Sequence, residues 1–195
     1  MTSSSPFASW LRAQPSLTGT PPELDLDDLP GDPATLFERW IRAAAAAGVA
    51  EPHGGTLATA DSSGMPDART LIVKDVSARG WGFAGPRDSA KARQLDESPA
   101  AAMNFWWPSI TRAVRVRGPV QEASDEESAA DLAERSAAAR AGLRPGEWVR
   151  WWLAPEQVEF WQGATDRRHV RIVYAREGER WSCTIREGEQ ERGKR

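Results

Sequence analysis

The residues best suited to chemistry lie late in the chain. The apolar run Val158-Glu159-Phe160 meets a Trp161-Gln162-Gly163 bend, and just beyond it stand Arg167, Arg168, His169 and Arg171. A flat indole beside fixed guanidinium groups suits a planar, anionic ligand. His169 is one of only two histidines, and an imidazole at such a place could orient a reacting group or take its proton. The same run also fits a solvated, arginine-rich hairpin tip, so the choice rests on what else the chain carries.

A second group lies upstream. Arg69-Thr70-Leu71-Ile72-Val73-Lys74 has strand composition and a cation at each end, followed by Gly80-Trp81-Gly82-Phe83 and then Ser89-Ala90-Lys91. The elements that position these residues can be read from patterning. Asp32-Pro33 starts a helix as N-cap and N1, with Leu36, Phe37, Trp40, Ile41 and Ala44 on one face and Gly48 as its stop. Thr56 to Ala60 and Asp67 to Asp75 are expected to be strands, Leu71 and Val73 pointing one way and Thr70, Ile72 and Lys74 the other. Asp88 is a plausible N-cap for a helix through Asp96, placing Ser89 in its first turn. Ala101 to Trp107 is apolar almost throughout and suits a strand buried on both faces. Arg112 to Gln121 alternates strictly, Val114, Val116 and Val120 against Ala113, Arg115 and Arg117. Ser124-Asp125-Glu126-Glu127 is a capping box expected to open a helix through about Ala139. Gln157 to Trp161, His169 to Ala175 and Glu179 to Thr184 are the last expected strands. Many short antiparallel strands with interspersed helices predict a mainly β protein, a closed or partly closed barrel with α additions.

Length and composition bound the rest. At 195 residues the chain suits one domain, read as an irregular N-terminal arm over 1–31, a barrel domain over 32–185 and a charged tail over 186–195. The arm's composition fits a segment packed on a partner or over a site, and equally a disordered tail. A net charge of −3 with both signs plentiful calls for neither nucleic acid nor a membrane surface. Cys183 stands alone, which leaves no intramolecular disulfide and no cysteine metal site. No signal-peptide pattern opens the chain, so a cytoplasmic protein is expected. Ten tryptophans are many for this length and are expected mostly in core or interface.

Taken in order, Arg69 to Lys74, Gly80 to Phe83, Ser89 to Lys91, Pro99 to Trp107, Arg112 to Gly118 and the Phe160-Trp161-Gln162-Gly163 segment with its Arg-x-His-x-Arg tail resemble the pyridoxamine 5'-phosphate oxidase family of flavin enzymes. The resemblance runs from about Asp32 to Trp181. It implies an FMN-binding split β-barrel, a homodimer with flavin sites at the subunit interface, and oxidation of pyridoxamine or pyridoxine 5'-phosphate with oxygen as electron acceptor. By the same resemblance Arg69, Ser89 and Lys91 clamp the flavin phosphate. Trp161 and Arg171 are late flavin contacts, and Lys74 lies near both flavin and substrate phosphate. Arg135 meets the substrate phosphate, while Arg167 and His169 hold the substrate ring and act in catalysis.

The chain departs from the family at Ala84-Gly85, Ala90 and Ala113 on the flavin side and at Asp131 and Ala139 on the substrate side. The stretch from Ala139 to Trp148 is short, and Thr184-Ile185-Arg186 replaces the usual ending. An acid at Asp131 would repel a phosphate. The sequence therefore leaves open a flavin oxidase acting on another aromatic substrate, a non-catalytic flavin or pyridoxal phosphate binder, and a deazaflavin in place of FMN.

Overall fold

The computed structural model describes residues 5–144 and 146–188. In chain order the elements are α1 (Pro6–Ala13), α2 (Pro33–Ala46), β1 (Gly54–Ala60), β2 (Pro66–Ile72), β3 (Asp75–Ser77), β4 (Gly80–Pro86), α3 (Ala90–Glu97), β5 (Ala100–Trp107), β6 (Arg112–Glu122), α4 (Asp125–Ala133), α5 (Ala137–Arg140), β7 (Trp148–Leu153), β8 (Gln157–Gln162), β9 (Val170–Glu177) and β10 (Arg180–Glu187). The main strand path runs β10-β9-β8-β6-β5-β1-β2, and β7 joins β4 to β6. The pairings are antiparallel. The result is the curled antiparallel half-barrel, or split barrel, expected from the sequence.

The long strand β6 makes the curl. Its first half, Arg112 to Arg117, pairs with β8, and its last residues, Val120 to Glu122, pair with β7. Gly118 sits between the two halves, where a Cβ would come 2.0 Å from the Ala154 carbonyl oxygen, so only glycine lets the chains pass so closely. The inner faces of the strands contribute Leu57, Met103, Phe105, Val114, Val116, Val158, Phe160, Ile172 and Tyr174, all fully buried. Helix α2 closes the core with Leu36, Phe37, Trp40 and Ala44. Phe37 packs edge-on to Phe105 at 4.9 Å and to Trp81 at 5.5 Å. Truncating such an aromatic costs about 3–5 kcal/mol. Asp32 caps α2 by accepting the Thr35 N–H at 2.9 Å.

Several expectations need correcting. The N-terminal segment is not irregular throughout: Ser5 caps and Pro6 starts helix α1, which buries none of its own residues. The cap of α3 is Ser89 rather than Asp88. Strand β5 is buried on one face only. Met103, Phe105 and Trp107 point inward, whereas Asn104 is exposed and Trp106 is 45% exposed, because a single chain covers one side of this sheet. The capping box of α4 forms as expected, but the helix ends at Ala133, and Ser136 caps a separate turn, α5. The expected Asp67–Asp75 strand is broken after Ile72 and resumes at Asp75. Strand β10 continues to Glu187, past the expected start of a tail, and residues 189–195 lie outside the described residues. No helix among the described residues is long and apolar enough to cross a membrane.

Candidate functional site

Arg69 projects from the pleat of β2 on the same side as Leu71, opposite Leu57 of β1. Its guanidinium is held by the Asp67 carboxylate at 2.6 Å, by the Gln94 side-chain oxygen at 2.9 Å on α3, and by the Thr59 hydroxyl. Arg69 in turn pulls the Asp67 carboxyl below its ordinary value. Lys91, on the first turn of α3, lies with its Nζ 3.2 Å from the Ser89 hydroxyl and 5.8 Å from the Trp151 ring centroid. Burial, and then the neighbouring charge of Arg69, push the Lys91 ammonium below its usual value, against a smaller opposing pull from Asp88. Two half-desolvated cations thus face one another beside the first N–H groups of a helix, an arrangement that an incoming anion relieves. Gly85 makes room for it: a Cβ there would come 2.1 Å from the Lys91 Nζ. Sequence reasoning counted Gly85 as a loss, and the space it leaves is what Lys91 occupies. Ser89 itself is committed locally, donating its hydroxyl to the Pro86 carbonyl at 2.7 Å while capping α3.

The late group is built on β8 and β9. In register, Trp161 stands between Ala113 of β6 and Arg171 of β9. Its ring centroid is 5.1 Å from His169 and 6.0 Å from the exposed Trp106. The His169 Nδ1 accepts the Ala164 N–H at 3.0 Å, so in the neutral ring the proton belongs to Nε2, and Nε2 is left for a ligand. Arg167 has a left-handed φ of 65°, in the turn closed by its own N–H to the Ala164 carbonyl. Its side chain is exposed. Arg171 is bonded to Glu159 at 3.1 Å, and Arg115 shares that carboxylate at 3.2 Å.

The third group lies where α4 meets β7. Arg135, just past the end of α4, stacks its guanidinium carbon 4.2 Å over the Trp148 ring. Trp148 donates its indole N–H to Asp131 at 2.8 Å. Lys74 lies between β2 and β3, exposed at its side chain, with its backbone N–H bonded to Gly82. The side chains of Lys74, Arg135 and Arg167 make no hydrogen bond or ion pair among the described residues, whereas those of Arg69, Lys91 and Arg171 are tied in place.

Sequence reasoning missed Thr111 and Arg112. Both are buried, and both hold the Trp161 bend: the Thr111 hydroxyl donates to the Gly163 carbonyl at 3.2 Å, and Arg112 Nε donates to the Gln162 side chain at 2.7 Å. Arg112 also reaches the Pro22 and Glu23 carbonyls at 3.3 and 3.4 Å and stacks 4.2 Å over Trp40, so it straps the N-terminal segment to the bend. Leu17 lies against Gly163 on the same side. Desolvation pulls the Arg112 guanidinium down to about 10. The signal was present, since period-two alternation puts Arg112 on the buried face with Val114 and Val116.

Strand β2 with Arg69 and strand β8 with Trp161 are four steps apart along the sheet, roughly 19 Å of path at ~4.8 Å per step.

The curled antiparallel sheet, with two cations at the β2–α3 end and an aromatic bend in its late strands, puts the chain in the class of split barrels. Residues 41–162 match the pyridoxamine 5'-phosphate oxidase family, and residues 148–185 match the pyridoxine 5'-phosphate oxidase C-terminal dimerisation region. The chain belongs to the pyridoxamine 5'-phosphate oxidase family. It is 33% identical over 186 residues to a pyridoxine/pyridoxamine 5'-phosphate oxidase of Paraburkholderia phymatum, covering 80% of this chain and 88% of that one. It is 34% identical over 182 residues to the enzyme of the same name from Rubrobacter xylanophilus, covering 77% and 84%. Among solved structures it is similar to PhzG from Burkholderia lata 383 in complex with tetrahydrophenazine-1-carboxylic acid, with a TM-score of 0.79, 28% identity and coverage of 87% and 100%. It shares its fold with an FMN-binding protein of Nostoc punctiforme, TM-score 0.67 and 20% identity, over 80% and 98% of the two chains. The dimerisation region contains Trp161, Arg167, His169 and Arg171.

Proposed function

We propose that this chain is an FMN-dependent oxidase working as a cytoplasmic homodimer, oxidising a carbon that bears an amine or hydroxyl on a planar aromatic substrate and passing the electrons to oxygen. The observation that carries the reading is Lys91, seated beside Ser89 at the start of α3 in the space Gly85 leaves, partly desolvated and with the Arg69 charge near enough to work against its own. A single phosphate ends the clamp, which favours FMN over a dinucleotide. FMN supplies a hydride-accepting ring when bound. Arg69 and Lys91 hold its phosphate, and the N-terminal N–H groups of α3 add two neutral donors. Trp161 and Arg171 of the second subunit line the ring, a reading supported by their place in the stretch that matches a dimerisation region. Arg167 and His169 hold the substrate over that ring, and the His169 Nε2–H donates to the reacting substituent and so orients it.

The relatives' names make pyridoxamine and pyridoxine 5'-phosphate the first substrates to try. A second reading, an aromatic substrate outside vitamin B6, is favoured by Asp131, which is buried against Trp148 beside the one arginine assigned to the substrate phosphate. Peroxide formation in air tests the proposal. Turnover with pyridoxamine 5'-phosphate supports the first reading, turnover only with other aromatic amines or dihydroaromatics supports the second, and a flavin that no such compound reduces contradicts oxidase activity.

A further inference from the structure

Arg135, Trp148 and Asp131 form one unit. The guanidinium covers the face of the indole, and the indole N–H is spent on a carboxylate that is 5% exposed. Asp131 has no cationic partner among the described residues, and its hydrogen bond to Trp148 is its one polar contact there. Arg135 Nε is itself buried without a partner. Both side chains also sit at the carboxyl end of α4, where the last carbonyls carry partial negative charge. The positive charge that Arg135 offers is therefore offset within its own cluster. A cavity of about 540 Å³ borders the same indole, with Leu132 and Leu143 as apolar wall and with Asp125 and Arg140 opposing each other in sign.

We infer that the end of the substrate that meets Arg135 carries at most one negative charge: a flat aromatic bearing a carboxylate, or no acid at all, in place of a phosphate ester. The inference rests on the oxidase reading above, in which Arg135 belongs to the substrate site. A flat ring extends the Arg135–Trp148 stack, and a single carboxylate can take the unpaired guanidinium donors. A phosphate dianion brings a second negative charge to a guanidinium that has the buried Asp131 carboxylate on the other side of the same indole. At an effective dielectric constant near 20, each extra charge across one indole weakens binding on the order of tenfold or more.

The test uses the FMN-loaded dimer and reads ligand binding from the perturbation of flavin absorbance, without turnover. Pyridoxamine 5'-phosphate, unphosphorylated pyridoxamine and benzoate are titrated against wild type and Asp131→Asn. The asparagine keeps a side-chain oxygen for the Trp148 N–H while removing the charge, so the fold is expected to survive, as a thermal melt checks. In wild type, pyridoxamine 5'-phosphate is expected to bind no more tightly than pyridoxamine, and benzoate to bind. In Asp131→Asn the phosphate ester should gain on the order of tenfold or more while pyridoxamine stays unchanged. Arg135→Gln should weaken benzoate and spare pyridoxamine. A wild-type preference of more than tenfold for the phosphate ester, or a ratio that Asp131→Asn does not move, overturns the inference and leaves the oxidase reading standing. If none of the three ligands perturbs the flavin, the inference and the substrate site of the oxidase reading fall together.

Discussion

At the β2–α3 end, the charge of Arg69 works against that of Lys91, and the two acids of the group, Asp67 and Asp88, are exposed. At the α4–β7 end, Arg135 lies across one indole from a buried acid that has no cationic partner among the described residues. Both regions present arginine to an incoming ligand. The first holds a partly desolvated ammonium that an outside anion would relieve, and the second sets a buried carboxylate behind its guanidinium. In a family whose relatives are named for a phosphorylated vitamin, this chain keeps the charge pattern suited to a cofactor phosphate and alters the one assigned to a substrate phosphate.

The largest expected effect breaks the first region. Arg69→Ala combined with Lys91→Ala removes two charge-assisted contacts, roughly 3–5 kcal/mol, and should lower FMN affinity more than a hundredfold. Retention of FMN through gel filtration at unchanged stoichiometry would show the phosphate to lie elsewhere.

Next in size is the late bend, which should affect rate and leave cofactor affinity alone. Arg167→Ala and His169→Ala should stay yellow and dimeric but reduce their flavin on the order of a hundredfold more slowly in anaerobic stopped flow. Loss of FMN in both would move these residues into the cofactor's contacts. Arg112→Met sharpens the same contrast from behind. It leaves the Gln162, Pro22 and Glu23 oxygens without their donor, at a cost of about 1–3 kcal/mol in stability, and should expose the N-terminal segment to limited proteolysis.

The smallest effect is a pH dependence of opposite sign in two measurements. Lys91 is depressed in the folded protein below its ordinary 10.5. Between the two values the unfolded chain binds more protons, so the stability of the FMN-free protein should rise with pH in that window. FMN binding needs the charged ammonium and should weaken over the same window. Lys91→Met should abolish the slope in FMN affinity and remove the Lys91 share of the slope in stability.

Much of the fold was legible in the sequence because its signals are local. The Asp32-Pro33 start, the one-sided pattern of α2, the alternation of β6 and the Ser124–Glu127 capping box are each fixed by neighbours a few residues away. Strand β7 was not legible. Trp148 to Leu153 is buried on nearly every position by α4 on one side and the barrel on the other, which erases a period of two. Strand β5 misled in the opposite direction, since its apolar outer residues look like core until the open face of the sheet is known. The candidate site was legible as a set of residue types and not as a geometry. Nothing local says that Gly85 holds space for Lys91, that Arg112 straps Pro22 to Gln162, or that Asp131 is bound to an indole seventeen residues on.

The most direct test of the account compares FMN with riboflavin on the cofactor-free protein by calorimetry or flavin fluorescence quenching. The two ligands share the ring and differ in the phosphate, so their ratio reads the phosphate clamp, and the double variant isolates the share of Arg69 and Lys91. The account predicts that FMN binds more than a hundredfold more tightly, and that the preference collapses in the Arg69→Ala, Lys91→Ala double variant. Equal affinity for FMN and riboflavin in the wild-type protein would contradict it.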